Sequence, residues 1–247
     1  MADFCRLCGS HSNFTMTGLI MEKHMISYFD CPNCGYVQTE VPFWLVEAYE
    51  NPINNFDTGL LTRNYQNSLL VYYLMGLIFG RKFKKIRHVD YAGGYGVLVG
   101  LLREFKIESY WHDKYCENLF AKGFNWNQDI NEVDVVSAFE VFEHFENPMN
   151  EIATLITYSK NIIFTTQIIP DEIPRVGDWW YYGEAHGQHI GFYRQKTLEF
   201  VANKYNLNLL TDGASIHLLT AEKISDGMFK IISKFSKISI FNILKRI

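Results

Sequence analysis

The sequence predicts an α/β fold in which a mostly parallel sheet is covered by helices on both faces and follows a small metal-binding module. Three observations carry this prediction. From residue 86 onward, short apolar runs alternate with stretches of helical period. A glycine-rich segment ends the first of these runs. Two Cys-x-x-Cys pairs stand close to the N-terminus.

The chain divides into four predicted segments: a zinc-binding knuckle at 1–40, a helical connector at 41–85, an α/β core at 86–222 and a basic amphipathic segment at 223–247. Within the core the pattern predicts strands at 86–91, 108–113, 133–138, 160–168, 207–211 and 215–221, and helices at 96–105, 148–158 and 195–205. The apolar run Leu69–Phe79 is too short to span a bilayer and predicts a buried helix.

Composition indicates a compact globular protein of enzyme size. The chain has 247 residues, of which 48% are hydrophobic and 16% aromatic, with a net charge of −4. The first sixty residues hold two basic against seven acidic side chains, whereas the last twenty hold five basic and no acidic ones. The first residues lack the apolar stretch of a signal peptide, so we expect a cytoplasmic protein.

The two cysteine pairs predict a structural zinc site. Cys5-x-x-Cys8-Gly9 and Cys31-Pro-x-Cys34-Gly35 are matching half-sites, and four thiolates close a tetrahedral site with no open position. Zinc ribbons often bind nucleic acid, but the acidic charge of this module opposes a phosphate backbone. We therefore expect no nucleic-acid partner and a ribbon that packs on the core or shapes an acceptor pocket. Cys116 lies outside the pattern and is interpreted as a core residue.

The segment Asp90-Tyr-Ala-Gly-Gly-Tyr-Gly96 ends a predicted strand and opens a helix. Small residues there let the backbone turn tightly and approach a ligand. Asp113 ends the next strand, about twenty residues later, which suits a carboxylate that binds ribose hydroxyls. Dinucleotide enzymes use a similar loop, but Asp90 is poorly placed for a pyrophosphate and suits a cationic ammonium group.

With the glycine loop, the acid of the second strand and the Glu140-Val-Phe-Glu143-His144 segment, residues 60–222 resemble class I S-adenosylmethionine-dependent methyltransferases. The resemblance implies a Rossmann-like core with a mostly parallel seven-stranded sheet. It implies that Asp90, Gly94 and Gly96 hold the methionine part of the cofactor. It places Asp113, with Lys114 beside it, at the ribose, and Asp129 and Ile130 at the adenine. Ala92 stands where the family usually has glycine, so the backbone twist at this position is left open.

Candidate catalytic residues follow the later strands. Removal of a proton from the acceptor needs a base, and the candidates are Glu140, Glu143, His144, His186 and His189. The E-x-x-E-H pattern with a later histidine is similar to ubiquinone-pathway O-methyltransferases and small-RNA 2′-O-methyltransferases. That similarity implies that Glu140, Glu143, His144 and His189 hold magnesium or another divalent metal. The alternative is that a histidine acts directly as general base without a metal.

The aromatic run Trp179–Tyr182, beside polar groups, suits an acceptor with an apolar ring face. The whole chain, with its four-cysteine knuckle and the Gly187-Gln-His-Ile-Gly-Phe-Tyr193 segment, resembles sugar and surface-polysaccharide methyltransferases. We therefore expect O-methylation of a sugar hydroxyl on a nucleotide sugar or bacterial glycan. The alternatives are sugar C-methylation, whose enzymes carry a long extra C-terminal domain, an RNA methyltransferase guided by the ribbon, and a cofactor-binding assembly subunit.

Two further segments remain from the sequence. Arg63-Asn64-Tyr65 precedes the buried helix and is a candidate cap of the cofactor pocket, or an ordinary helix start. The C-terminal segment alternates apolar residues with lysines and suits an anionic inner-membrane surface, a glycosyltransferase partner or packing on its own domain. Its apolar positions are Phe229, Ile232, Phe235, Ile238, Phe241 and Leu244.

Overall fold

The computed structural model describes residues 4–50, 59–127 and 133–237, which form two sheets and their covering helices. The larger sheet has the strand order β5-β4-β6-β7-β10-β9. Its strands are β4 (Arg87–Tyr91), β5 (Glu108–His112), β6 (Val135–Phe139), β7 (Asn161–Thr165), β9 (Asn208–Thr211) and β10 (Ile216–Thr220). The first four are mutually parallel, whereas β10 runs antiparallel to both of its neighbours. The bounds lie within three residues of those that the sequence pattern predicts.

The sheet contains six strands among the described residues, one fewer than the resemblance implies. At the outer edge of β5, a single parallel bridge joins Trp111 to Asn125 among the described residues. The intervening segment is folded into turns by Asn118, whose side chain bonds Ala121 and Asn125. These local bonds replace the ladder that an edge strand would make there.

Helices cover both faces of the sheet. One face packs against α2 (Leu60–Phe79), α3 (Val97–Glu104) and α6 (Asp226–Ser236), and the other against α4 (Pro148–Tyr158) and α5 (Gln195–Lys204). Leu70, Val71, Leu74 and Met75 of α2 are fully buried, which confirms the predicted buried helix. Because both faces are covered, the carboxyl ends of the parallel strands remain the open edge for a ligand.

The cysteine-bearing segment forms a second, four-stranded antiparallel sheet. Its strands β1 (Asn13–Ile20), β2 (His24–Asp30) and β3 (Val37–Thr39) are joined by β8 (Gly191–Phe192), which comes from far along the chain. The short helix α1 (Leu45–Ala48) follows this module. The pairing of β3 with β8 fixes the ribbon to the loop that leads into α5.

The C-terminal helix is divided between core and surface. Phe229 is completely buried against α2, whereas Phe235 is 62% exposed, so the predicted stripe does not form one face. Ile238, Phe241 and Leu244 lie outside the described residues. Within the described ranges no helix is long and apolar enough to cross a membrane.

Candidate active site

A cleft of about 1210 Å³ opens at the carboxyl ends of β4, β5 and β6. The glycine loop and Asp113 line it, and so do His144, His186 and His189. Cavities that hold one small ligand are usually about 300–1,000 Å³. The cleft exceeds this range, and it brings together the two groups of residues that the sequence singled out.

The glycine loop turns through left-handed backbone at Ala92, Gly94 and Gly96, whose φ angles are 57°, 53° and 85°. Ala92 thus adopts the twist that the sequence left open, in a conformation that an L-residue adopts with strain. At Gly93 an added Cβ would lie 2.7 Å from Oδ2 of Asp90. Only glycine there lets the backbone pass over the carboxylate.

Asp90, at the end of β4, is 4% exposed. Its Oδ1 accepts a hydrogen bond of 2.6 Å from the hydroxyl of Ser137. Burial raises the pKa of Asp90 to about 7, and the negative charge of Asp113 adds to this effect. A buried carboxylate at the edge of a cleft is stabilised by a cationic ligand, which is the role that the sequence assigns to it.

Asp113 holds the glycine loop as well as facing the cleft. Its Oδ2 accepts from the backbone N–H of Gly94 at 2.9 Å, and its Oδ1 accepts from those of Tyr115 and Cys116. The Oδ2 atom keeps one lone pair for a further donor. Lys114 also lines the cleft, with its Nζ 5.2 Å from the centre of the Tyr115 ring. Asp129 and Ile130 lie outside the described residues.

Glu143 is fully buried in a 3-10 turn at Phe142–His144. Among the described residues neither of its carboxylate oxygens makes a well-formed hydrogen bond, although the hydroxyls of Tyr181 and Thr166 lie close enough to lower its pKa. Burial raises its pKa to about 8, and the charge of Glu140 contributes. A buried carboxylate with so few partners is costly, so Glu143, behind the cleft-lining His144, suits a cation or a further donor.

His144 and His189 turn the same ring nitrogen towards Glu143. The Nδ1–H of His144 donates to the carbonyl of Gln188 at 3.0 Å, and that of His189 donates to the carbonyl of Tyr181 at 2.6 Å. Both Nε2 atoms therefore carry a bare lone pair. Burial lowers the pKa of His144 to about 4 and holds the pKa of His189 well below its usual value, which keeps both rings neutral.

Together these three residues have the geometry of a metal site. One ligand atom each of Glu143, His144 and His189 can be chosen so that all lie within 4.8 Å of one another. Histidines that bind metals usually donate their second N–H to a carbonyl or carboxylate, as both do here. The donor set fits a divalent cation.

Glu140, the fourth residue of the implied metal set, does not belong to this group. It adopts a left-handed φ of 55°, and its Oε1 accepts from the hydroxyl of Thr165 at 2.8 Å. Its own N–H donates to the same hydroxyl. Glu140 lines the cleft, but its carboxylate is bonded to Thr165 of β7 and is not among the three ligand atoms that lie within 4.8 Å of one another.

His186 also differs from the other two histidines. Its Nδ1 accepts from the backbone N–H of Gln188 at 3.1 Å, so the neutral ring carries its proton on Nε2. Burial lowers its pKa. In this arrangement His186 offers the cleft a hydrogen-bond donor rather than a base.

The aromatic run is only partly available to a ligand. Tyr181 and Tyr182 are fully buried, and their rings pack against Trp179. Trp180, in contrast, is 73% exposed and lines the cleft. Most of the run therefore forms the core beneath the ribbon, and Trp180 is its member that lines the cleft. Arg63 and Asn64 also line the cleft.

The four N-terminal cysteines converge at one point. The Sγ atoms of Cys5 and Cys34 are 3.6 Å apart, those of Cys8 and Cys31 are 3.5 Å apart, and all four lie within 4.8 Å. Thiolates at about 2.3 Å from a tetrahedral zinc ion stand roughly 3.8 Å from one another. Cys116 lies elsewhere, beside the cleft, partly exposed rather than in the core.

Sequence reasoning missed the residues that orient the site. His88, Ser137 and Gln188 are buried, and each forms hydrogen bonds to a site residue or to its neighbour. A buried His or Ser in a strand carries no signal of its partner, since the partner comes from a different strand.

A family model described as a methyltransferase domain matches residues 65–212, more than half of the chain. Comparison with curated proteins found no match.

Similar solved structures include CalO1, a methyltransferase in calicheamicin biosynthesis (13% identity, TM-score 0.47, covering 72% of this chain and 61% of that one). An O-methyltransferase family protein from Burkholderia thailandensis gives 12% identity, a TM-score of 0.46 and coverage of 66% and 57%. Magnesium protoporphyrin IX methyltransferase from Synechocystis PCC 6803 gives 14%, 0.46, and 72% and 93%. The chain thus spans about three fifths of the length of the first two. By its matched domain and its Rossmann-like methyltransferase fold, the chain belongs to the methyltransferase-domain family.

Proposed function

We propose that the protein transfers a methyl group from S-adenosylmethionine to a hydroxyl of a sugar, on a nucleotide sugar or a glycan. One observation carries the proposal: the glycine loop with Asp90 lines the same cleft as His144 and His189, whose ring nitrogens cluster with the buried carboxylate of Glu143. Methyl transfer is an in-line displacement, so donor and acceptor must be held against each other in one cavity.

The cofactor end of the cleft is assigned to the glycine loop. Asp90 faces the ammonium group of the methionyl moiety, which accounts for a carboxylate that is 4% exposed at the edge of the cleft. Asp113 accepts from a ribose hydroxyl through the free lone pair of Oδ2. Lys114, Asp129 and Ile130 complete the assignment from the family resemblance. When bound, the cofactor supplies the electrophilic methyl group.

At the acceptor end, Glu143, His144 and His189 would hold a divalent metal. Two imidazole nitrogens and one carboxylate suit manganese, iron, cobalt or zinc better than magnesium, which prefers oxygen ligands. When bound, the metal lowers the pKa of a coordinated hydroxyl. The exposed face of Trp180 supports a sugar ring as acceptor, because flat aromatic faces stack on the apolar side of such rings.

Zinc is assigned to Cys5, Cys8, Cys31 and Cys34 as a structural ion. The distances between their sulfur atoms fit a tetrahedral site. All four positions would be filled by protein ligands, so this ion has no place for a substrate.

Calorimetric titration with S-adenosylmethionine tests the cofactor site. We expect binding by the parent protein and at least about tenfold weaker binding by Asp113→Ala, since both the ribose contact and the loop anchor are lost. Thermal unfolding of the variant controls for loss of structure. Equal affinity in the two proteins would exclude the assignment of Asp113.

The acceptor is tested by transfer of labelled methyl groups into a panel of nucleotide sugars, oligosaccharides and RNA. Incorporation into a sugar, with the new methyl carbon bonded to oxygen by NMR, is the expected result. A methyl carbon bonded to carbon would favour the C-methylation alternative. Incorporation into RNA alone would overturn the sugar assignment.

A further inference from the structure

We propose that His88 and Ser137 form a positioning relay, anchored on Ser109, that orients Asp90 and stabilises its ionised form for the cofactor. The relay crosses three adjacent strands of the sheet. It deepens the proposed function, because it rests on Asp90 facing the cation of the cofactor.

The register of the sheet puts these groups on one face. His88 and Asp90 are two residues apart on β4, so both point to the side covered by α2 and α3. Ser109 of β5 lies opposite His88, and Ser137 of β6 lies opposite Asp90. His88, Ser109 and Ser137 are all completely buried. Apolar side chains would satisfy the packing at these positions, so a chain of polar ones needs a reason.

Three hydrogen bonds connect the relay from Ser109 to Asp90. Ser109 Oγ lies 2.8 Å from His88 Nδ1, His88 Nε2 lies 3.0 Å from Ser137 Oγ, and Ser137 Oγ donates to Asp90 Oδ1 at 2.6 Å. Since the hydroxyl proton of Ser137 is directed at the carboxylate, its oxygen accepts the Nε2–H of His88. The bare Nδ1 of His88 then accepts the hydroxyl proton of Ser109. Every bond thus donates towards Asp90.

Aligned donors of this kind stabilise a carboxylate against burial. Burial lowers the pKa of His88 to about 3, so the ring stays neutral and donates only a proton of fixed position. Asp113 faces Asp90 from the end of β5 and opposes its ionisation, Arg63 of α2 lines the same cleft, and β6 contributes the uncharged Ser137. The pKa of Asp90 is already raised to about 7 by burial. Loss of the relay should raise this pKa further, so that Asp90 is mostly protonated at neutral pH.

The test compares cofactor affinity between pH 6 and pH 9 in the parent, Ser137→Ala, His88→Phe and Ser109→Ala. Loss of a bond to the carboxylate that moves its pKa upward by about one unit weakens binding roughly tenfold at pH 6.5. At pH 9, where Asp90 is ionised in every protein, affinity should stay within about twofold of the parent. The loss of cofactor affinity at pH 6.5 should be largest for Ser137→Ala, smaller for His88→Phe and smallest for Ser109→Ala. Comparison at equal pH cancels the titration of the cofactor itself.

A second readout needs no cofactor. In protein labelled with ¹³C at aspartate carboxyl carbons, the titration midpoint of Asp90 should move upward in Ser137→Ala and, less, in His88→Phe. An affinity loss that is the same at every pH, or an unmoved midpoint, would overturn the relay. If the parent binds no S-adenosylmethionine but the midpoint still moves, the proposed function fails and the relay stands.

Discussion

Ala92 shows how a single residue holds the cofactor loop in a strained form. Its φ of 57° lies in the left-handed region, where an L-residue is about 1–2 kcal/mol less stable than in right-handed backbone. Glycine has no such penalty but loses more chain entropy on folding. The sequence showed that alanine occupies this position, but its conformation depends on the turn that the flanking glycines impose.

Ala92→Gly should therefore raise the free energy of unfolding, by up to about 1 kcal/mol, because relief of strain exceeds the added chain entropy. Urea unfolding followed by circular dichroism measures the change. Ala153→Gly in α4 is the matched control, since that helical position should lose about 1 kcal/mol. Two changes of the same sign would show that Ala92 is unstrained.

Glu143 and Glu140 form the second contrast at the residue scale. Both follow β6, but among the described residues the oxygens of Glu143 make no well-formed hydrogen bond, whereas Oε1 of Glu140 accepts from the hydroxyl of Thr165. We expect Glu143→Gln to weaken binding of Mn²⁺ or Co²⁺ by about 10–100-fold, because the carboxylate ligand is lost. Glu140→Gln, which keeps its oxygen on Thr165, should change the affinity much less. Titration of the metal, followed by calorimetry or by the visible spectrum of Co²⁺, distinguishes the two; equal losses would place both carboxylates on the metal.

Elements whose pattern is local were predictable from the sequence, and elements made by distant pairing were not. The core was predicted from the apolar runs of β4, β6 and β7 and from the helical period of α4 and α5. Residues buried on a strand or a helix recur in the sequence with the period of that element. The two-residue β8 has no such period. It exists because Gly191 has no side chain: an added Cβ there would clash with the hydroxyl of Tyr36.

The candidate site divides in the same way. Its charged and histidine residues could be named from motif spacing, and the structure brings most of them to one cleft. The sequence could not predict that Glu140 stands apart from the cluster, since this depends on its hydrogen bond to Thr165 of another strand. Nor could it predict the burial of Tyr181 and Tyr182, which follows from packing against Trp179 and the ribbon.

At the scale of elements, α6 should be fixed mainly by one side chain. Phe229 is buried with Leu70 and Leu74 of α2, so Phe229→Ala should lower the free energy of unfolding by about 3–5 kcal/mol. Phe235→Ala, at a position that is 62% exposed, should change it by less than about 0.5 kcal/mol. Denaturant unfolding of both variants measures the difference; similar losses would mean that Phe235 also packs in the core in solution.

For the whole molecule, the ribbon and the acceptor end of the cleft form one continuous structure. Ile190 follows His189, and its carbonyl accepts from the Nη2 of Arg6 at 2.5 Å and from the N–H of Thr39 at 3.1 Å. The N–H of Ile190 in turn donates to the carbonyl of Glu143. Arg6 lies between the first two cysteines. The cysteine loop therefore contacts the backbone that carries two residues of the proposed metal cluster.

Among the described residues, the cofactor loop is held by Asp113, by Trp111 and by the N–H groups of Leu119 and Phe120, which donate to the carbonyl of Tyr95. Its link to the acceptor end runs through Tyr49, which stacks on Tyr115 and bonds His144, and not through the backbone of the ribbon. Disturbance of the ribbon should thus weaken ligand binding at the acceptor end of the cleft and leave the cofactor end largely unchanged. We expect Cys8→Ser, which weakens the zinc site, to lower Mn²⁺ affinity at the histidine cluster at least about tenfold while S-adenosylmethionine affinity stays within about threefold of the parent. Arg6→Ala should give a smaller loss of Mn²⁺ binding with zinc retained. Calorimetric titration of each ligand, with zinc content measured on the same samples, provides the comparison. Parallel loss of both affinities would show that the ribbon supports the whole fold rather than the acceptor end, because the two ends of the cleft would then share a single unit of stability.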